Sequence, residues 1–264
     1  MGGHDHALAT EDGVLHRNSA VEFMRMDRKT LLVEGEYYHI YNRGVNKQRI
    51  FNADEDYRRF MAQLYLENDE ESVRLCHVLA SQKYKDQPVN ESLSEIFSDP
   101  DLRRRNRVVD VLAYCLMPNH FHIVLRPRVE SGVSIFMQRV LTGYSMYFNI
   151  KHERSGALFG SRYKSKHINS DPYFRWIFSY VHLNPVKLIE ARWKEEGIKN
   201  VKKVAEFMRN YEYSSSWDYL IDTRPERAVL SMGDAPPFSG EESDFEQLLR
   251  WYKAGEELGG ISAK

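Results

Sequence analysis

Two imidazoles, His120 and His122, stand two residues apart in Met117-Pro118-Asn119-His120-Phe121-His122-Ile123-Val124-Leu125. The flanking residues read as a strand. Side chains alternate faces along a strand, so both imidazoles point one way and Phe121 the other. Two imidazoles on one face can hold one metal ion and leave several coordination positions open, which suits a reaction centre better than a structural clip. The same pair also fits two hydrogen-bonded polar residues on a half-buried strand. His4 and His6 share the spacing but lie among Gly2, Gly3, Asp5 and Ala7 without a strand pattern, so spacing alone defines no site.

A second chemical group lies further along. In Tyr173-Phe174-Arg175-Trp176-Ile177-Phe178-Ser179-Tyr180-Val181-His182-Leu183-Asn184, the residues Tyr173, Ile177, Tyr180 and Asn184 fall on one helical stripe. Tyr180 and Asn184 are one turn apart, so a phenol and a carboxamide can approach the same centre. An aromatic stripe is also what a core helix presents, and Asn184 can simply end the helix before Pro185. His182 is rotated well away from Tyr180 and is not assigned to a metal.

The elements that must position these groups can be traced in order. An aromatic strand is predicted over Glu36–Arg43, closed by Gly44. A helix follows from about Asp54 to Glu67, with Tyr57, Phe60, Met61, Leu64 and Tyr65 at helical spacing. Residues from about 68 to 107 lack a sustained pattern and read as an insertion. Within it Val73–Leu79 is apolar enough for a strand, and Arg103-Arg104-Arg105 reads as a solvated loop or a nucleic-acid backbone contact. Val108–Leu116 and Phe121–Arg126 flank Pro118-Asn119 and predict a hairpin.

A helix from about Ser134 to His152, a loop punctuated by Gly156 and Gly160, and a strand over Arg162–Ile168 come next. Asp171 as N-cap, Pro172 at the first helical position and Pro185 as the stop define the helix that carries Tyr180. The order strand, helix, strand, strand, helix, strand, helix predicts an α+β fold, a ferredoxin-like antiparallel sheet with helices on one face. Residues 1–30 read as a disordered tail, 31–190 as the catalytic domain, and 191–264 as a helical extension with helices near Val201–Tyr211 and Asp244–Glu257.

Composition narrows the partners. Two cysteines, Cys76 and Cys115, each in an apolar segment, imply no disulfide framework and a reducing cytoplasm. No apolar run is long enough for a membrane span. The net charge of -1 conceals an uneven distribution: from Arg126 to Lys187 ten Lys or Arg residues face only Glu130, Glu153 and Asp171. These cations alternate with Tyr144, Tyr147, Phe148, Phe159, Tyr163, Tyr173 and Trp176. Cations for phosphates and aromatics for stacking bases are the composition of a single-stranded nucleic-acid surface.

Four segments also occur in a characteristic order: Tyr41-Asn42-Arg43-Gly44; Met117 to Leu125; Gly156-Ala157-Leu158-Phe159 with Arg162-Tyr163-Lys164; and Tyr180-Val181-His182-Leu183-Asn184-Pro185-Val186. In this the chain resembles the single-tyrosine HUH transposases, especially their REP-associated branch, over roughly Glu36 to Leu220. Tyr213-Ser214-Ser215-Ser216 resembles that family's serine-rich element. The resemblance implies the HUH endonuclease fold, His120 and His122 as metal ligands, Tyr180 as nucleophile, and Asn184 where relatives often have Gln completing the metal site.

It further implies Mg²⁺ or Mn²⁺ as cofactor, although imidazoles by themselves favour a softer ion such as Zn²⁺. A hairpin or palindromic repeat in single-stranded DNA is the implied substrate, and a homodimer the implied assembly. The implied reaction nicks and rejoins DNA through a 5′-phosphotyrosine link. Arg162, Lys164 and Lys166 are the expected backbone contacts, with Asn42 and Arg43 as further ones. A DNA- or RNA-binding regulator and a metal-dependent phosphodiester hydrolase that uses water are the alternatives.

Overall fold

The computed structural model describes residues 32–71, 73–103, 106–238 and 243–257. The expected N-terminal tail, with His4 and His6, and Arg104 and Arg105 lie outside the described residues. The chain enters through β1 (Tyr37–Arg43) and then α1 (Asp54–Leu66). Three carboxylates in the first turn of α1, Asp54, Glu55 and Asp56, complement its dipole. Asp56 also reaches back to accept from the amides of Asn52 and Ala53 at 2.7 and 3.0 Å.

The insertion contributes the short helices α2 (Leu75–Leu79) and α3 (Val89–Glu95). The strand expected over Val73–Leu79 is therefore not formed. Leu75 and Val78 are buried three residues apart, a spacing that faces one way on a helix and opposite ways on a strand.

Next come β2 (Val109–Met117), β3 (His120–Pro127), α4 (Gly132–Lys151), β4 (Lys164–Ile168) and α5 (Asp171–Leu183). Ser170, not Asp171, is the extended residue before α5, so Asp171 and Pro172 both lie in its first turn. The C-terminal part supplies α6 (Trp193–Glu196), α7 (Val201–Arg209), α8 (Ser216–Leu220) and α9 (Asp244–Glu257). No described helix is long and apolar enough to cross a membrane.

The sheet order is β2-β3-β1-β4, with every pairing antiparallel. This is the split βαβ arrangement, in which α1 and α4 cross over between strands. Both crossover helices cover one face: Phe60 and Leu64 of α1 and Phe136, Val140 and Tyr144 of α4 pack with Ile40, Phe121 and Ile123. The expectation of helices on one face holds for these two and for α2 and α3, whose Leu75, Val78 and Leu93 join the same core, but not for α5. Ile177 and Val181 of α5, with residues of α7 and α9, pack on Ala113, Cys115, Met117 and Val124 of the opposite face. The reason is legible in β2, all nine residues of which are buried. Apart from Asp110, both of its faces are apolar, and both need cover.

The free edge of β2 is closed by the C-terminal segment. Leu116 donates its amide to the Tyr213 carbonyl, Ser215 donates to the Tyr114 carbonyl, and Ser231 donates to the Val111 carbonyl. The serine-rich element thus removes an exposed strand edge.

Packing of α9 on α5 is close at Gly255, where an added Cβ would stand 2.1 Å from Cδ1 of the buried Trp176. Gly255→Ala raises helix propensity by about 1 kcal/mol, but the overlap with a buried indole costs roughly 1–3 kcal/mol. Net destabilisation is expected in urea unfolding, and a stabilised variant would contradict this packing.

Candidate active site

Register decides which side chains share the second face of the sheet. Across β3 and β1, His122 is opposite Tyr41 and His120 is opposite Arg43; across β1 and β4, Tyr41 is opposite Lys164 and His39 is opposite Lys166. Directly opposite residues point to the same side. One face therefore carries His120, His122, His39, Tyr41, Arg43, Lys164 and Lys166, and α5 lies over part of it.

The hairpin turn that delivers His120 is clasped from outside. Amides of Ile50 and Phe51 donate to the Pro118 carbonyl, the Gly44 amide donates to the Asn119 carbonyl, and Asn119 Nδ2 donates to the Lys47 carbonyl. Gly44 is needed here because a Cβ would lie 2.3 Å from the Gln48 carbonyl oxygen.

The two imidazole rings are 5.1 Å apart between centroids. His120 Nδ1 is 2.6 Å from Asn119 Oδ1, so it carries the proton and leaves Nε2 as a lone pair. His122 Nδ1 is 2.8 Å from Nε2 of His39, a buried histidine absent from the expected set. A proton on His122 Nδ1, donated to His39, leaves Nε2 of His122 as the second lone pair. Burial, with Arg43 next in effect, holds the His120 pKa down to about 3. Burial first, and then the neighbouring His39 and His120, hold His122 well below 6.5. Neutral rings with one nitrogen already engaged are what metal ligation asks of histidine.

Tyr180 sits against this platform. Its ring meets His122 edge-on at 5.4 Å and stacks on Trp176 at 5.5 Å between centroids. Burial raises the phenol pKa, opposed first by hydrogen bonding with Asn184. The Asn184 carboxamide interacts with both His120 and Tyr180, and its Nδ2 has no hydrogen-bond partner. Nζ of Lys194, on α6, lies 3.1 Å from the Tyr180 hydroxyl oxygen and 4.2 Å from the ring centroid. Between phenol and platform is a cavity of about 20 Å³ lined by residues including His39, Tyr41, His122, Lys166 and Trp176. That volume holds about one water.

The donor set fits a metal in part. Among the described residues no three His, Cys, Asp or Glu side chains cluster for an ion. With His122 protonated on Nδ1, two imidazole nitrogens and the Asn184 carboxamide would form an incomplete shell, which leaves positions for an incoming phosphate.

The other expected residues divide. Lys164 and Lys166 share the imidazole face, and Arg43 is exposed at its edge opposite His120. Arg162 is exposed in the loop before β4. Asn42 is buried, donates Nδ2 to the Ser161 carbonyl and accepts the Arg43 amide, so its role here is to brace that loop. His182 faces away, buried, with Nε2 2.8 Å from Ser215 Oγ. Of the basic stretch, Arg126 and Arg128 are held by Asp110, and Lys151 by Asp56 and Glu55.

Sequence reasoning missed His39 and Lys194. His39 precedes Tyr41 by one strand repeat, but only the pairing of β1 with β3 joins it to His122. Lys194 lies in the segment read as an extension, and no local pattern marks it.

The antiparallel sheet, the imidazole pair and the phenol-bearing helix together form an α+β domain with both chemical groups on one side of the sheet. Residues 72–184 match the family model described as "Transposase IS200 like", a span that includes His120, His122, Tyr180 and Asn184. That match covers less than half of the chain. A search of curated proteins finds no match. A solved structure of a REP-associated tyrosine transposase bound to a REP hairpin aligns with a TM-score of 0.41 and 12% identity, over 82% of this chain and 96% of that one.

Burial also lowers the His182 pKa to about 3. Between pH 3 and 6.5 this imidazole is neutral when folded and protonated when unfolded, so stability falls as pH drops through that window. Urea unfolding in EDTA is expected to weaken from pH 6.5 to 5, and His182→Gln to make that decline shallower, by up to about 1 kcal/mol per pH unit. An unchanged slope would contradict a neutral buried His182.

Proposed function

We propose that this protein nicks and rejoins single-stranded DNA at hairpin or palindromic repeats, using Tyr180 as nucleophile. The observation that carries the reading is the edge-on approach of the Tyr180 ring to His122, with Asn184 interacting with both Tyr180 and His120. The phenol, the two imidazoles and the amide are thus neighbours on one side of the sheet. The match of residues 72–184 to the transposase family model supports transposase chemistry, and the cations on the same face support a phosphate-bearing ligand.

Each residue has a task. Lys164, Lys166, Arg43 and Arg162 would contact the DNA backbone, and Asn42 would hold Arg43 in place. His120, His122 and Asn184 would bind Mg²⁺ or Mn²⁺. Such an ion, when bound, offsets the charge of a phosphate oxygen and favours in-line attack. His39 would keep His122 in the tautomer that presents Nε2. Attack forms a bond from the Tyr180 oxygen to phosphorus as the bond from phosphorus to the 3′ oxygen breaks. The phenol proton leaves to solvent, and the 3′ oxygen gains one to become a hydroxyl. The phosphotyrosine retains the capacity to rejoin strands without a nucleotide cofactor. A homodimer belongs to the same proposal.

The cavity of about 20 Å³ is too small for a nucleotide, so the strand must enter from the Arg43–His120 end or displace the aromatic side chains. Labelled hairpin DNA incubated with the protein and Mn²⁺ is expected to give a protein-linked band that disappears in Tyr180→Phe. Cleavage that survives Tyr180→Phe would instead identify water as the nucleophile, and binding without cleavage would identify a regulator.

A second outcome concerns the division of labour. His120→Ala is expected to lower cleavage by at least about 100-fold while DNA affinity changes little. Equal loss of both in a gel-shift titration would contradict it.

A further inference from the structure

Lys194 is in an unusual position for a cation. It is only partly exposed, on the short helix α6, whose Trp193 is buried and packs with its ring tilted against Tyr252 of α9, 4.8 Å between centroids. Tyr252 in turn lies 6.1 Å from Trp176, which stacks on Tyr180. This aromatic column fixes the lysine against the phenol. Its Nζ meets the Tyr180 oxygen at 3.1 Å, within hydrogen-bond range, and also sits 4.2 Å over the ring.

No carboxylate pairs with Lys194 among the described residues. Glu195 and Glu256 act on it only at longer range, and burial pulls its pKa down to about 8. A half-buried ammonium without a counter-ion is costly. The cost falls when negative charge arrives beside it, and in the proposed reaction that charge comes from the phosphate and from the phenol oxygen as it attacks.

We propose that Lys194 is a catalytic residue that donates to the Tyr180 oxygen, orients the phenol towards the phosphate and balances the negative charge that builds on both. This rests on Tyr180 being the nucleophile. The chemical step is the one given above: the oxygen–phosphorus bond forms, the bond to the 3′ oxygen breaks, and both protons exchange with solvent. Lys194 keeps its own protons throughout. Its contribution is a fixed charge aimed at developing charge, the kind of effect whose removal slows reactions by about 10²–10³.

A purely structural lysine, packing its stem on Tyr180, predicts something different. Lys194→Met keeps the stem and removes the charge, Lys194→Gln keeps a donor without charge, and Lys194→Arg keeps the charge. The test uses the full chain with labelled hairpin DNA and Mn²⁺. Affinity is read by gel shift, and the single-turnover rate of the protein–DNA adduct is read on denaturing gels.

Lys194→Met and Lys194→Gln are expected to bind DNA within about threefold of the parent yet form the adduct about 100-fold more slowly. Lys194→Arg is expected to recover a tenth or more of the rate. Adduct formation within threefold of the parent in either neutral variant that melts normally overturns the proposal, as does an arginine variant no faster than methionine. Failure of the Tyr180 reading is separable, since the parent adduct would then persist in Tyr180→Phe.

Discussion

The register of β1 against β3 is the constraint on which the site depends. With Tyr41 opposite His122 and Arg43 opposite His120, His39 falls on the imidazole face one strand repeat away. A slip of one residue would send His39, Tyr41 and Arg43 to the other side of the sheet. That side is occupied: Tyr38, Ile40, Phe121, Ile123 and Leu125 are buried there against the crossover helices. Burial of one face thus selects the register that assembles the other. The loop from Gly44 to Phe51 pins the same register by its hydrogen bonds to the Pro118-Asn119 turn.

The apolar alternation that sets this register is also what made much of the fold legible. Strands β1, β2 and β3, the hairpin between the last two, and the helix bounded by Pro172 and Pro185 all follow from local pattern. His120, His122, Tyr180 and Asn184 could be picked out because strand and helix periods align them. Long-range pairing was not legible. His39 joins the site through a neighbouring strand, and Lys194 arrives from a four-residue helix. Nor did the continuous apolar run of β2 say that its second face would be covered by α5, because such a run fits several burial patterns.

Charge was the least transferable reading. The excess of cations between Arg126 and Lys187 is real in sequence, but Arg126, Arg128 and Lys151 are bound to carboxylates within the fold. The cations on the imidazole face are fewer, and β4 contributes Lys164 and Lys166 to it by alternation. Asn42 is expected from the sequence as a DNA contact beside Arg43. In the fold it is buried, and its amide donates to the Ser161 carbonyl instead. Neutral imidazoles, an amide nitrogen without a partner and a cation without a counter-ion leave the centre short of negative charge, a deficit that a phosphodiester would fill.

The central claim is a covalent bond between DNA and one phenol, and peptide mass spectrometry tests it most directly. After reaction with hairpin DNA and Mn²⁺, nuclease trimming and tryptic digestion, the peptide from Trp176 to Lys187 is examined for added nucleotide mass. The account predicts a phosphonucleotide on Tyr180. An adduct on any other residue, or cleaved DNA with no adduct on the protein, would contradict it.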